Sequence, residues 1–293
     1  MNNNQYFDPI LLSKVNNLSL AARFVVEGFL VGLHKSPFHG FSAEFSEYRP
    51  YNEGEDTRFV DWRYFGKTDR FYVKRFEEET NLRATIILDS SASMGFASGK
   101  ISKLDYGSFL SAALSHLLLK QRDAVGLTIF DKSVKIAIPP RSKPSHLKEI
   151  LTHISNTKAE GETDIATNLH KIANQTKKRG MIILISDLLD EPESVISGLK
   201  HFRYQGNDVV VFHLLDPQEI EFDYRKNTKF VDLENSESLM TEPWKFQKAY
   251  QKTMEDFIVK YRTECRNNSM DYNLVQTAQP LDITLREMMM RRL

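Results

Sequence analysis

Leu82-Arg83-Ala84-Thr85-Ile86-Ile87-Leu88 runs straight into Asp89-Ser90-Ser91-Ala92-Ser93. The first part is an apolar run broken only by Arg83 and Thr85, which predicts a buried strand. The second part places a carboxylate and three hydroxyls at that strand's carboxyl end. In an open α/β sheet the carboxyl ends of the strands form the ligand-binding rim.

From this point onward strand and helix signals alternate, as expected of a mainly parallel sheet covered on both faces. After Leu82–Leu88 come strands at Val125–Phe130, Val134–Pro139, Met181–Ile185, Val209–Leu215 and Tyr272–Thr277. The helices between them are Tyr106–Gln121, Ser145–Ser155, Asp164–Lys177, Glu191–Tyr204, Trp244–Arg266 and Asp282–Met290. In the first, Tyr106, Phe109, Leu110, Ala113, Leu114, Leu117 and Leu118 recur at three- and four-residue spacing. Only a few residues around Asp131-Lys132 separate the second and third strands, too few for a parallel crossover, so this pair is an antiparallel hairpin. Phe222–Pro243 lacks periodicity and reads as an excursion with a short hairpin.

Upstream, Asp8–Leu33 is mostly helical in pattern, with Leu11, Val15, Leu18 and Ala22 along one face and an end near Gly32. Phe38–Glu79 then mixes aromatics, charges and glycines without clean periodicity, which suggests short strands and turns in a small lobe. The expected division is therefore 1–81, a helix with an aromatic and charged β-rich lobe, and 82–293, an α/β domain of six strands, one of them antiparallel.

The chain has 293 residues, 39 basic and 39 acidic, and a formal net charge of +0. No overall field favours nucleic acid or an anionic membrane surface. Met1-Asn2-Asn3-Asn4-Gln5 lacks the regions of a secretory signal, and apolar runs such as Val209–Leu215 fall short of the roughly 18 residues of a membrane span. The expectation is a cytoplasmic protein with no direct membrane insertion. Its single cysteine, Cys265, excludes an internal disulfide and reads as an unreactive reduced thiol.

Two further polar clusters fall at corresponding positions: Thr163 before the helix near Asp164, and Asp187 after the fourth strand. Asp, Ser and Thr offer hard oxygens, suited to Mg²⁺ or Mn²⁺ rather than to soft or nitrogen-preferring metals. A site with two carboxylates and neutral hydroxyls leaves a dication with coordination positions open to an external carboxylate. The chemistry suggested is adhesion to an acidic side chain of a partner.

Asp89-Ser90-Ser91-Ala92-Ser93 resembles the D-x-S-x-S signature of the metal-ion-dependent adhesion site of von Willebrand factor A domains. Gly161-Glu162-Thr163-Asp164 is similar to that family's G-G-T-[DN] segment, with Glu162 in place of the second glycine, and Ser186-Asp187 is similar to its third segment. The resemblance implies a metal site of Asp89, Ser91, Ser93, Thr163 and Asp187, with the hydroxyls as direct ligands and the carboxylates bound directly or through water. Upstream, Glu44-Phe45, Arg49-Pro50-Tyr51, Gly54-Glu55-Asp56-Thr57-Arg58, Asp61-Trp62, Val73-Lys74 and Glu77 follow in an order that resembles the bacterial domain of unknown function 58. Glu55-Asp56 stands where that family commonly has two aspartates. This resemblance implies a non-enzymatic, cytoplasmic accessory partner of a MoxR-type AAA+ ATPase, acting in chaperone-like assembly or maturation of a client protein.

Other chemistries fit less well. A metal-dependent phosphatase of the haloacid dehalogenase type needs a second carboxylate two residues after the first, where this chain has Ser91. Gly95–Ser102 fails as a phosphate-binding loop because its glycines are too close and Ile101 stands where a Ser or Thr is needed. Lys100 and Lys103 then read as solvated loop charges. His116 and His213 fall inside elements and read as satisfied structural histidines. Arg49, Asp56, Arg58 and Asp61 around Trp62 read as an ion-pair network of the N-terminal lobe. A metal-independent scaffold remains as the alternative to the adhesion site.

Overall fold

The computed structural model describes residues 8–13, 17–34, 48–50, 65–66, 72–74, 82–231, 233 and 238–290. The chain divides into two compact units, one of residues 1–32 and 82–293 and one of residues 33–81. Within the smaller unit, strands β1 (Tyr48–Pro50) and β2 (Tyr72–Lys74) pair antiparallel. Of the expected ion-pair network around Trp62, Arg49 lies in β1, and Asp56, Arg58, Asp61 and Trp62 lie outside the described residues.

The larger unit begins with helices α1 (Pro9–Ser13) and α2 (Leu18–His34). It continues with β3 (Arg83–Asp89), α3 (Lys103–Lys120), β4 (Ala124–Phe130), β5 (Val134–Arg141), α4 (His146–Ser155), α5 (Ile165–Gln175), β6 (Met181–Ser186) and α6 (Pro192–Tyr204). It ends with β7 (Asp208–Leu215), α7 (Pro217–Glu221), the hairpin β8 (Thr228–Val231) and β9 (Ser238–Thr241), α8 (Gln247–Asn267), β10 (Asp271–Gln276) and α9 (Leu281–Met290). The six-stranded sheet has the order β10-β7-β6-β3-β4-β5. All neighbours are parallel except β5, which runs antiparallel to β4. This is the von Willebrand A-like α/β architecture that the motifs implied, and the hairpin in the excursion after β7 lies where it was expected.

Alternation along the strands builds a core on each face. Ile87, Ile182, Leu184, Val209 and Val211 pack with Leu169 and Ile172 of α5, Leu199 and Phe202 of α6, and Tyr261 and Cys265 of α8. On the other face α3 lies so close that a Cβ on Gly107 would stand 3.1 Å from Leu88 and 3.2 Å from Ile185. A side chain there would force its neighbours to give by a few tenths of an ångström, so glycine permits this close approach. Each fully buried Leu or Ile removes enough apolar surface to contribute about 1.5–3 kcal/mol. Helix α2, grouped with the N-terminal lobe on sequence alone, belongs with the larger unit: Ala22 packs against Ala112 of α3 and Leu151 of α4. Among the described residues, no helix is long and apolar enough to cross a membrane.

Candidate functional site

The site forms where β3 and β6 end side by side, because the parallel register sets Leu88 opposite Ile185. Asp89, the last residue of β3, is fully buried. Its Oδ1 accepts from the Ser91 amide (2.9 Å) and its Oδ2 from the Ser186 hydroxyl (2.6 Å). The chain then turns into a single 3-10 turn, Ala92–Gly95, which brings the Ser91 and Ser93 hydroxyls to 3.1 Å. Burial, and secondly the charge of Asp187, push the Asp89 carboxyl up to about 7, against the bonds from Ser186 and Ser91. Asp89 is thus a carboxylate short of compensating charge.

The Gly161–Thr163 segment is tied to this loop through the backbone. Ala92 N donates to Gly161 O (2.9 Å), and Glu160 N donates to Ser90 O (3.1 Å). Gly161 has φ +85°, and a Cβ there would lie 2.9 Å from Asp131 Oδ2, so the turn requires glycine for both conformation and space. Asn168 of α5 fixes the approach from below, its amide donating to Asp131 O and Asp164 O, each at 2.8 Å. Asp164 caps α5 by accepting from Thr167 N. Between that cap and Gly161 sits Thr163, whose Oγ1 is buried and has no hydrogen-bond partner among the described residues. A buried hydroxyl without a partner calls for an explanation, because burial has cost it the bond it makes to water.

Asp187 follows β6 and is fully buried. Leu188, next along, adopts a left-handed φ of +55°. This non-glycine strain is held by Leu188 N donating to Ser186 Oγ (3.0 Å) and by the Tyr261 hydroxyl donating to Leu188 O (3.1 Å). The turn presents Asp187 at the rim, where Oδ1 accepts from Leu189 N at 3.3 Å.

The structure corrects the reading of Lys103. Lys103 is not a solvated loop charge: it is the first residue of α3, fully buried, with Nζ 2.8 Å from Asp187 Oδ2 and 2.5 Å from Glu219 Oε1. Burial opposes its charge, but the two carboxylates more than offset this and raise its pKa. The cause is local. Ser102 and Asp105 form a reciprocal capping box that starts α3 three residues before the apolar periodicity does, and the start carries Lys103 inward. Glu219 arrives by the same device, since Asp216 and Glu219 cap the short α7 after β7. Sequence reading missed Lys103 and Glu219, although both S-x-x-D and D-P-x-E were visible as capping patterns. Lys100 is exposed.

Of the five residues singled out by sequence, Asp89 therefore ends β3 and the other four lie on the loops that follow β3, precede α5 and follow β6, with the ends of β3 and β6 joined by the Asp89–Ser186 bond. No group of three or more His, Cys, Asp or Glu among the described residues is placed to hold a metal ion, so a cation at this rim would depend on hydroxyl oxygens. The donors fit a hard divalent cation, with an orphaned Thr163 hydroxyl, a close Ser91–Ser93 pair and an under-compensated Asp89. His116 and His213, expected to be satisfied, each keep a buried ring nitrogen without a hydrogen-bond partner among the described residues: Nδ1 of His116, and Nε2 of His213, whose Nδ1 lies 2.7 Å from the Tyr272 hydroxyl.

Comparison with known proteins agrees with the architecture. An uncharacterized protein of Mycobacterium tuberculosis (strain ATCC 25618 / H37Rv), Rv1480, is 26% identical over 217 residues, covering 73% of this chain and 68% of its own. The crystal structure of the conserved hypothetical protein BatB from Bacteroides thetaiotaomicron superposes with a TM-score of 0.50 at 15% identity, covering 72% of this chain and 98% of that one. The SpRpn10 VWA domain aligns at 11% identity with a TM-score of 0.42, over 70% of this chain and 95% of its own. The family described as "Protein of unknown function DUF58" matches residues 47–257, and with most of the sheet and its rim inside that span, the chain belongs to the DUF58 family.

Proposed function

We propose that the chain is a non-enzymatic, protein-binding adaptor whose Asp89, Ser91, Ser93, Thr163 and Asp187 hold Mg²⁺, or Mn²⁺ in its place. The observation that carries the reading is the Thr163 hydroxyl, buried and without a partner among the described residues, on the loop bonded to the Ser91–Ser93 turn. Bound there, the ion supplies a Lewis-acidic position open to an external oxygen. The chain's own residues set what that position prefers. The serine and threonine hydroxyls are neutral and leave coordination positions open, so a carboxylate from outside can complete the shell. Ser91 stands two residues after Asp89, where a phosphatase of the haloacid dehalogenase type would carry its general acid, and its hydroxyl cannot fill that role.

The partner we infer is a protein offering an acidic side chain. The family resemblance favours a MoxR-type AAA+ ATPase or that ATPase's client. The test is a pull-down from native lysate with folded wild type in Mg²⁺, wild type in EDTA, and Asp89→Ala in Mg²⁺. Recovery of an AAA+ ATPase or its client in the first arm alone supports the adaptor. Equal recovery in all three leaves a metal-independent scaffold instead.

A further inference from the structure

The position of Lys103 is costly in two ways. A cation in the first turn of a helix opposes the helix dipole, and a fully buried ammonium has lost its water. A buried ion pair is weak grounds for stability by itself, since apolar replacements often do as well. Yet Lys103 is held at the rim by two acidic side chains on different loops, one of them a residue of the metal site. Asp187 belongs to the turn after β6, and Glu219 belongs to α7 after β7. The ring of Phe96 lies 5.9 Å from Nζ, and Ser98 N donates to Asp216 Oδ2 (2.9 Å), so the same loop that covers the lysine is tied to the α7 cap.

We propose that Lys103 is the built-in antagonist of the divalent cation: it bridges Asp187 and Glu219 in the metal-free protein, and it gives up Asp187 and keeps Glu219 when a metal claims the first carboxylate. The inference rests on the metal-site reading and deepens it, because it names what regulates the site. Lys103 and a divalent cation repel each other across Asp187, so the lysine lowers metal affinity. Glu219 provides the second seat that keeps the displaced ammonium paired, and that seat is on α7. Metal binding therefore leaves Glu219 as the sole acidic partner of the ammonium and quiets α7, which couples the rim to that helix.

The experiment is isothermal titration of the full chain with MgCl₂ alone, comparing wild type, K103M and E219Q. With Lys103 removed, Mg²⁺ binds about tenfold tighter or more, as loss of a like charge a few ångströms away requires. In E219Q the lysine has only Asp187 to pair with, and Mg²⁺ binds several-fold more weakly. These opposite signs are the signature, and where K103M fails to fold, E219Q carries the test alone. Hydrogen exchange of residues 216–222 provides the second readout: Mg²⁺ slows it in wild type and leaves it unchanged in E219Q. If wild type binds Mg²⁺ but K103M binds it equally or more weakly, or E219Q binds it no more weakly than wild type, the antagonist role is wrong and the metal site stands. If neither wild type nor K103M binds Mg²⁺, the metal-site reading falls and this inference falls with it.

Discussion

Replacing Thr163 with valine separates the hydroxyl's cost from its use. Valine keeps the β-branched shape and puts a methyl in place of Oγ1, the atom that is buried without a partner among the described residues. An unsatisfied buried polar group costs about 1–3 kcal/mol, so in EDTA the variant is more stable than wild type by about 1 kcal/mol. For a chain of this size that is a rise in Tm of about 2–4 °C. In saturating Mg²⁺ the order reverses. A ligand at a hundred times its Kd stabilises the native state by about 2.7 kcal/mol, and a site without one of its direct ligands loses most of that gain. Circular dichroism melts of both proteins, in EDTA and in 10-fold steps of MgCl₂, give Tm against Mg²⁺ for each, and the crossing of the two is the prediction. A T163V protein that is less stable in EDTA by 1 kcal/mol or more, or that gains as much from Mg²⁺ as wild type, refutes the reasoning.

Three other outcomes follow from the same geometry. Gly161→Val forces a left-handed φ on a β-branched residue and sets its Cβ against Asp131 Oδ2, so urea melts should show a loss of about 1–3 kcal/mol with an unchanged m value; a neutral result contradicts the geometry of that turn. Cys265 is buried and its thiol is pushed up to about 12 by burial, so a disulfide-exchange reagent should leave the native protein unlabelled at pH 8 and label it fully in denaturant. For Asp89 the pKa is raised on folding from 3.8 to about 7, which means the metal-free native state favours the proton. Its contribution to stability in EDTA is therefore complete below about pH 4 and is lost as pH rises through about 7, and Asp89→Asn should remove that part of the pH slope. The same proton must leave before a cation binds, so Mg²⁺ affinity should rise between pH 6 and pH 8.

The sheet was legible because each of its strands is a short apolar run bounded by polar loops, and such runs need no tertiary information to be recognised. Strand ends were less so. Asp89 is still in β3 because its partner Phe130 continues the β4 ladder, a fact of pairing that the Leu88–Asp89 boundary does not carry. The five site residues could be read from motif and position, since strand ends converge by topology. Lys103 and Glu219 could not, because their meeting needs α3, β6 and β7 in place at once. The capping boxes at Ser102 and Asp216 show where each helix starts but not that the two starts face one charge. Helix α2 was assigned to the wrong neighbour for a related reason: Ala22 and Leu18 make an apolar stripe that fits many surfaces, and only the folded α3–α4 pair selects one.

The most direct test of the central claim is crystallographic. Crystals soaked in MnCl₂ and measured for anomalous scattering should show a peak bounded by the Ser91, Ser93 and Thr163 hydroxyls, with Asp89 and Asp187 in direct or water-bridged contact. A map with no peak there at millimolar Mn²⁺, or with a peak only at surface carboxylates, would contradict the account.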